Sequence, residues 1–345
     1  MLKQGLLLST RILTSNFKRL RQPYKLTFAV TYRCNSKCKT CNIWKKKPTN
    51  ELILREIKEI FRYINPSWVN LTGGEPFMRE DLYEICKVIR EETDTFLVNM
   101  ITNGLLTKLV LKQVKRILKL KFPKLIVGVS LDGPQKLHDK LRGVQGNWRM
   151  AVELYKNLFK LNSSRFQTYF GYTISRHNVG RIEATLNDLK KEIRNITVNN
   201  IHFNLFHTSS IYYSNEGKEG QASKEKILKD IKFILKQKRS FGIVNQIDRR
   251  FIQLMPKYLN TGRSPLPCKA LTSSVFIEPS SNVYPCTNFP LVLGNLRNES
   301  YNLLGIWNSR RATDALTKIK QGKCPHCWTA CEAYQTMLGN LVRWY

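Results

Sequence analysis

Short apolar runs alternate with segments of helical period between residues 25 and 206, and this alternation restricts the fold more than any other feature of the chain. Short runs rich in branched and aromatic residues are typical of buried strands, whereas the longer segments between them are typical of helices. The alternation predicts repeated βα units on a parallel sheet. Six units would form a partial (β/α)6 barrel of the TIM type, open on one side. The six predicted strands are 25–31, 68–72, 96–102, 125–131, 167–173 and 201–206.

The segment that begins at Glu51 shows the helical period well. Its isoleucines and Phe61 share one face, Asn50 is a suitable amino-terminal cap, and Pro66 follows the predicted end. The next helical segment carries a similar apolar stripe that includes Cys86. We therefore expect Cys86 to pack in the core and not to bind a metal.

Eight of the nine cysteines fall in two groups at metal-ligand spacing. Cys34, Cys38 and Cys41 form a CxxxCxxC loop directly after the first predicted strand. Three thiolates in so short a loop can converge on one metal centre, and thiolates are the ligands of iron-sulfur clusters. A four-iron cluster held by three cysteines keeps one iron free to bind a cofactor. Taken alone, this loop also suits zinc, or three unrelated thiols.

Four further motifs close or follow the predicted strands. In chain order they are LTGGEP at 71–76, ITNG at 101–104, VSLDGP at 129–134 and HDKLRG at 138–143. The carboxyl ends of parallel strands meet at one edge, where α/β proteins collect their ligands. Together with the cysteine loop, these motifs resemble the radical S-adenosylmethionine (radical SAM) superfamily over roughly residues 24–210.

The resemblance implies an activity and its cofactors. Cys34, Cys38 and Cys41 would hold a 4Fe-4S cluster whose open iron is chelated by the methionine amine and carboxylate of S-adenosylmethionine (SAM). One-electron reduction would cleave SAM to a 5′-deoxyadenosyl radical, which abstracts hydrogen from a substrate. The electron would come from a donor such as ferredoxin or flavodoxin.

The resemblance also implies which residues contact SAM. The implied contacts are Gly73, Gly74 and Glu75 to the methionine amine, Ser130 and Asp132 to the ribose or carboxylate, Asn103 to a nearby polar group, and Arg142 to the methionine carboxylate through a two-pronged ionic contact. The alternative interpretation of Arg142 is an ordinary surface arginine without a ligand.

The second cysteine group lies near the carboxyl terminus and resembles the twitch domain, or a trimmed SPASM domain, which holds an auxiliary 4Fe-4S cluster. Five cysteines suffice for only one such cluster. A structural zinc site is the alternative, because paired and distant cysteines suit tetrahedral zinc equally well. The preferred ligands are Cys268, Cys286, Cys324 and Cys327, with Cys331 as a spare or replacement.

The chain is strongly basic, with 57 Lys and Arg against 25 Asp and Glu and a net charge of +32. A polyanionic partner is therefore a candidate, although solvated basic helix faces account for the charge equally well and nucleic acid is not the favoured substrate. Clustered cysteines and the lack of a signal peptide favour a reducing cytoplasm. No apolar run approaches the ~20 residues that span a bilayer.

The first 22 residues form a basic amphipathic segment with Leu2, Leu6, Leu13, Phe17 and Leu20 near one helical face. Such a helix suits the inner face of an anionic membrane, or it closes the bottom of the barrel. The predicted domains are this helix at 1–22, the radical SAM barrel at 23–245 and the auxiliary-cluster domain at 246–345.

The function expected from these features is a radical SAM enzyme that modifies a C–H bond of a peptide, or of a lipid-linked, sugar or other small metabolite. The alternative is a basic RNA- or membrane-binding protein with structural metal sites.

Overall fold

Six parallel strands form the first part of a nine-stranded sheet in the computed structural model, which describes residues 2–217, 220–238 and 242–343. Each strand pairs in parallel with its sequence neighbour, as repeated βα units require. The fold confirms the partial TIM-type barrel, and the observed strand ends lie within one or two residues of the predicted ones. The strands are β1 Lys25–Thr31, β2 Trp68–Gly73, β3 Leu97–Thr102, β4 Lys124–Ser130, β5 Phe166–Ile174 and β6 Ile201–Leu205.

Helices follow the strands and cover the outside of the sheet with their apolar faces. Cys86 is fully buried in this layer, which confirms its predicted core position. Chain order begins with α1 Leu2–Phe17, which precedes β1. The barrel helices are α2 Leu54–Tyr63, α3 Leu82–Glu92, α4 Thr107–Leu118, α5 Gln135–Arg142, α6 Asn147–Phe159 and α7 Ile182–Glu192.

The predicted start of α2 is wrong. The helix begins at Leu54, and the Glu56 side chain accepts a hydrogen bond from the Ile53 backbone N–H at 2.8 Å. Asn50 has a positive φ of 57° and lies outside the helix. The Glu51 carboxylate instead accepts hydrogen bonds from the Tyr32 N–H and the Thr31 hydroxyl, so it braces the end of β1.

The carboxyl-terminal part of the chain extends the barrel sheet. Strand β7 (Ser274–Ile277) pairs in parallel with β1, and β8 (Asn282–Tyr284) and β9 (Gly294–Asn295) continue the sheet in antiparallel fashion. The boundary predicted at residue 245 falls in the first turn of α9, and the division at residues 22 and 245 stays a prediction. The remaining helices are α8 Lys224–Gln237, α9 Ile243–Thr261, α10 Leu303–Asn308, α11 Arg310–Lys320 and α12 Ala330–Leu338.

Helix α12 lies at the amino-terminal end of the barrel strands. Lys25, the first residue of β1, is buried and donates hydrogen bonds to the Cys331 carbonyl and the Gln335 side chain of α12. Its ammonium group also lies 4.4 Å from the centre of the Trp68 ring at the start of β2. This last helix therefore forms the floor of the barrel.

Helix α1 packs on α12 and on the loops that precede β2 and β3. Arg11 donates to the Ser67 hydroxyl at 2.8 Å, and Lys3 pairs with Asp94 at 3.2 Å. Helix α1 thus lies at the amino-terminal end of the barrel strands, next to α12. No helix in the described part of the chain has the length and apolar character needed to cross a bilayer.

Candidate functional site

The three cysteines of the first loop lie at the carboxyl end of β1, and side chains from other motifs approach their sulfur atoms. Asn103 Nδ2 lies 3.9 Å from Cys34 Sγ, and Arg142 Nη1 lies 3.7 Å from Cys38 Sγ. Burial raises the pKa of Cys34 to about 11 and that of Cys41 to about 12, and both pKa values are raised further by the Cys38 thiol. The three thiols are therefore close enough to influence one another electrostatically.

The carboxyl end of α5 holds one side of this loop. The Ser36 hydroxyl and the Lys37 N–H both donate to the Arg142 carbonyl at 3.0 Å, and the Lys39 N–H donates to the Leu141 carbonyl at 2.8 Å. The last carbonyl groups of a helix lack partners within the helix, so here the cysteine loop supplies them. The 138–143 motif thus positions the loop through its backbone as well as through the Arg142 side chain.

A segment after β6 holds the other side of the loop. The Asn42 N–H donates to the Tyr213 carbonyl at 2.9 Å, and Asn215 Nδ2 donates to the Thr40 carbonyl at 3.0 Å. The Tyr212 hydroxyl lies 2.5 Å from the Thr72 hydroxyl and 3.3 Å from the Gly73 carbonyl. Sequence reasoning missed these residues, since most of their contacts are with main-chain atoms and leave no side-chain pattern.

The two glycines of the LTGGEP motif lie directly against the start of the cysteine loop. Gly74 N–H donates to the Thr31 carbonyl at 2.9 Å. A methyl group on Gly73 would overlap the Thr31 carbonyl oxygen, and one on Gly74 would overlap the Arg33 carbonyl oxygen. Gly73 also has a φ of 135°, which favours glycine. The motif therefore lies as close to the loop as the backbone permits.

Glu75 is buried, and both of its carboxylate oxygens accept backbone hydrogen bonds. The Phe77 N–H donates at 3.2 Å and the Asn103 N–H at 2.7 Å. Burial raises the pKa of Glu75 to about 7. Two sequence motifs, LTGGEP and ITNG, are thus joined through one carboxylate next to the cysteine loop.

Asp132 and Arg142 form an ion pair of 2.7 Å at the end of β4. The other Asp132 oxygen accepts from the Thr173 N–H at 2.9 Å. The Arg142 side chain is only 15% exposed, so the interpretation as an ordinary surface arginine is wrong. In the part of the chain that the structure describes, its buried Nε has no hydrogen-bond partner. Ser130 is buried at the end of the same strand.

The five cysteines of the second group surround the hairpin and the start of α12. Burial raises the pKa of Cys327 to about 12 and also raises the pKa values of Cys268 and Cys286, and thiols of the same group add to each rise. Cys331 differs, because after burial the strongest influence on its pKa is Lys25, which lowers it. The Cys331 thiol also contributes to the raised pKa values of Tyr212 and Tyr213 beside the first cysteine loop.

Tyr213 lies between the two cysteine groups. Burial raises its pKa well above the usual value, and the Cys331, Cys41 and Cys327 thiols contribute to the rise. Among the described residues, no three histidine, cysteine or carboxylate side chains are arranged to hold a single metal ion. The ligand sets therefore rest on motif, burial and loop geometry.

Two family models match the chain at the two cysteine groups. The radical SAM superfamily model matches residues 28–189, and the SPASM iron-sulfur cluster-binding domain model matches residues 268–332. The barrel and the cysteine loop at its carboxyl edge thus define a radical SAM type of α/β barrel enzyme.

Curated relatives extend the similarity along the chain. The antilisterial bacteriocin subtilosin biosynthesis protein AlbA of Bacillus subtilis is 24% identical over 92% of this chain and 66% of its own length. The AdoMet-dependent heme synthase of Methanosarcina barkeri is 26% identical over 88% of each chain. The chain thus spans just under two thirds of AlbA and 43% of Fe-coproporphyrin III synthase from the same archaeon.

Solved structures show the same fold. The structure of Streptococcus suis SuiB bound to S-adenosylmethionine superposes with a TM-score of 0.60 at 15% identity, over 91% of this chain and 71% of SuiB. This chain belongs to the radical SAM superfamily and carries a SPASM-type auxiliary domain. Membership implies a 4Fe-4S cluster, SAM and an auxiliary iron-sulfur cluster.

Proposed function

We propose that this protein cleaves SAM reductively at a 4Fe-4S cluster held by Cys34, Cys38 and Cys41 and uses the product radical to modify a C–H bond of a peptide. The observation that carries the proposal is the convergence of the LTGGEP, ITNG and 130–142 segments on the cysteine loop. When bound, the cluster supplies one electron to the SAM sulfonium, and the resulting 5′-deoxyadenosyl radical takes hydrogen from the substrate.

The residues around the loop have the chemistry that SAM requires. Gly73 and Gly74 bring bare backbone to the loop, so a ligand can approach without meeting a side chain. Glu75 is oriented by two backbone N–H groups and is the acceptor for the methionine amine. Arg142, aligned by Asp132, keeps one buried N–H for the methionine carboxylate.

Further polar contacts complete this assignment. The Asn103 side-chain amide donates to the Asn35 side chain and lies close to Cys34 Sγ, so it is placed to contact the cofactor near the open iron. Ser130, beside Asp132, is the ribose contact. The Asp132 carboxylate acts chiefly by holding Arg142, because both of its oxygens already accept protein donors.

For the auxiliary cluster, the proposed ligands are Cys268, Cys286, Cys324 and Cys327. The mutual influence of these four thiols supports the set. Cys331 is the spare, since after burial the strongest influence on its pKa is the Lys25 ammonium and not another thiol of the group.

A peptide is the preferred substrate class. AlbA is named for biosynthesis of the bacteriocin subtilosin, and one SuiB structure contains the precursor peptide SuiA. The heme synthase relative makes a porphyrin the leading small-molecule competitor. The net charge of +32 favours an acidic electron donor of the ferredoxin or flavodoxin kind, since opposite charges speed encounter.

Anaerobic reconstitution tests the cluster assignment. The full chain should bind about eight irons, as expected for two four-iron clusters, and form 5′-deoxyadenosine with dithionite. The Cys34→Ala/Cys38→Ala/Cys41→Ala variant should keep about four irons and form no 5′-deoxyadenosine. Cys86→Ala is the matched control and should match the unaltered chain. A colourless zinc protein that leaves SAM intact would refute the proposal.

The substrate class needs a separate measurement. Precursor peptides and porphyrins are added in parallel to the reconstituted enzyme, and the rate of 5′-deoxyadenosine formation and the substrate mass are followed. A peptide should raise the rate and lose or gain a defined mass. Stimulation by the porphyrin alone would replace the peptide assignment and leave the cluster assignment intact.

A further inference from the structure

Helix α1 has four large apolar residues on its outer face. Leu2, Leu6, Leu13 and Phe17 are 90%, 68%, 57% and 78% exposed. Their spacing puts them on one stripe of the helix. The buried residues of α1 are polar, namely Gln4 and Ser15. A helix that only covers a protein core has the opposite arrangement.

Polar contacts fix the helix in this orientation. Asn16 Nδ2 donates to the Leu338 carbonyl at the end of α12 at 2.9 Å, and Lys269 Nζ donates to the Ser15 carbonyl at 2.7 Å. Arg11 bonds the Ser67 hydroxyl, and Lys3 pairs with Asp94. Rotating the stripe inward would break these contacts, so the apolar face is held outward.

The charge around this stripe is positive. Residues 2–22 contain three arginines and two lysines and no aspartate or glutamate. Lys18 and Arg21 are exposed just after the helix. Arg19 stacks on Trp307 at 4.8 Å, and the exposed Arg310 and Arg311 follow Trp307 in the chain by three and four residues. Asp314 on α11 is the acidic residue nearest to them in the chain.

We propose that α1 docks this protein on an anionic lipid surface, with the stripe Leu2, Leu6, Leu13 and Phe17 in the headgroup region and the basic residues at its end on lipid phosphates. An amphipathic helix with exposed large apolar residues and cationic neighbours binds such an interface. The basic surroundings favour anionic lipid over an apolar patch of another protein. A single helix of this kind gives reversible, peripheral binding.

The docking orientation has a consequence for the enzyme. Helix α1 lies at the amino-terminal end of the barrel strands, whereas the cysteine loop lies at their carboxyl end. A protein bound through α1 would therefore present its candidate active site to the aqueous phase. A water-borne peptide fits this orientation better than a lipid-linked substrate. The docking itself goes beyond the proposed reaction and does not depend on it.

Vesicle sedimentation of the reconstituted full chain tests the inference. Vesicles of phosphatidylcholine with about one third phosphatidylglycerol are compared with pure phosphatidylcholine. The unaltered protein should sediment with the anionic vesicles and be released between about 0.1 M and about 0.5 M salt. Leu6→Gln/Leu13→Gln should weaken binding on the order of tenfold or more, because two apolar side chains leave the interface.

Leu109→Gln/Met150→Gln is the matched control, since it removes two exposed apolar side chains from α4 and α6. This variant should bind as the unaltered protein does. Both variants should keep the unaltered melting temperature and 5′-deoxyadenosine formation. Equal vesicle binding by all three proteins, or no binding at all, would overturn the proposal while leaving the radical chemistry untouched.

A second copy of the chain is the competing occupant. Size-exclusion chromatography with light scattering, without lipid, distinguishes it. A dimer that Leu6→Gln/Leu13→Gln converts to a monomer would assign the stripe to self-association and overturn lipid docking. A monomer in every variant, together with lipid binding by the unaltered chain, supports the proposal.

Discussion

At the scale of single residues, Arg142 joins more of the candidate site than any cysteine does. Its side chain pairs with Asp132 at 2.7 Å and reaches Cys38 Sγ at 3.7 Å, while its carbonyl group accepts bonds from Ser36 and Lys37. The Arg142 side chain therefore contacts Asp132 and Cys38, whereas its backbone holds the cysteine loop. A substitution that keeps the positive charge but changes the shape of the side chain tests the first contact without removing the second.

Arg142→Lys should reduce cluster retention and SAM affinity without unfolding the chain. An ammonium group has no planar fork, so it cannot satisfy Asp132 and Cys38 together and leave a third N–H for a ligand. The backbone contacts to the loop remain. We expect a stability loss of about 1–3 kcal/mol, since the buried Asp132 loses part of its pairing.

Iron content and SAM affinity after anaerobic reconstitution check this prediction, and Arg149→Lys at an exposed position is the control. Unchanged SAM affinity in Arg142→Lys would show that the guanidinium does not contact the cofactor.

At this scale the sequence motifs select residues that the structure brings together, but they do not predict the contacts between them. Cys34, Glu75, Asn103 and Arg142 were all selected from motifs, and the structure brings them together. The ion pair between Asp132 and Arg142 was not predicted, because motif matching assigns each residue separately to the ligand. The contacts of Tyr212 and Tyr213 with the cysteine loop could not be predicted from the sequence. These residues lie in a polar loop without periodicity, and such a loop has no pattern that indicates which residues it contacts.

At the scale of elements, the close approach of the LTGGEP turn to the cysteine loop fixes the geometry of the candidate site. Gly74 has no room for a side chain because the Arg33 carbonyl oxygen occupies the position of a Cβ atom. The turn and the loop are therefore in direct backbone contact.

Gly74→Ala should destabilise the protein by about 3 kcal/mol or more, since only a backbone shift can relieve the overlap. Cluster binding should weaken with it. Gly171→Ala is the control, because Gly171 on β5 has open space where a Cβ atom would lie. Urea unfolding of the three proteins gives the comparison. Equal midpoints for Gly74→Ala and Gly171→Ala would contradict the close approach.

The limits of strands and helices are predicted well where the hydrophobic pattern determines them. They are predicted poorly where a local polar contact determines them. The strands of the barrel are buried and short, so their apolar runs set their limits. The start of α2 depends instead on Glu56, whose carboxylate accepts a hydrogen bond from the Ile53 N–H. This contact places the start of the helix after Ile53, and not after Asn50 as predicted. Asn50 and Glu56 cannot be ranked as capping residues from the sequence, because tertiary contacts decide which of them caps the helix. Arg297, in the loop after β9, bonds the Glu56 carboxylate.

At the scale of the whole molecule, barrel and auxiliary part share one sheet and one floor. Strand β7 continues the sheet from β1, and α12 lies under the barrel beside Lys25. Glu332 of α12 is buried, and burial raises its pKa to about 7, while the Lys25 charge opposes the rise. We infer that Lys25 and Glu332 couple the last helix to the first strand.

A double-mutant cycle measures this coupling. Lys25→Met should cost about 3–5 kcal/mol, because it leaves the Glu332 carboxylate buried without its compensating cation. Lys25→Met/Glu332→Gln should recover much of that loss, since no buried charge remains. Thermal or urea unfolding of both variants and of Glu332→Gln completes the cycle. Strictly additive effects would show that the two side chains are not coupled.

Arg297, in the loop after β9, forms the outer link between the two parts. Its guanidinium bonds both Glu56 carboxylate oxygens of α2, at 2.6 and 2.8 Å. The hydrogen bond from Arg297 holds the pKa of Glu56 at about 2, well below its usual value near 4.5. A depressed carboxylate pKa means that the folded state prefers the charged form.

This link should therefore stabilise the protein fully above about pH 5 and lose its effect as the pH falls from about 4.5 toward 2. Glu56→Gln should cost about 1–3 kcal/mol at pH 7, and the difference from the unaltered chain should shrink across that acid range. Urea unfolding at several pH values measures it. Glu91→Gln, which removes an exposed pair with Lys87, is the control and should change stability by less than about 0.5 kcal/mol. A Glu56→Gln difference that is constant from pH 7 to pH 3 would show that the Arg297 contact does not hold the two parts together.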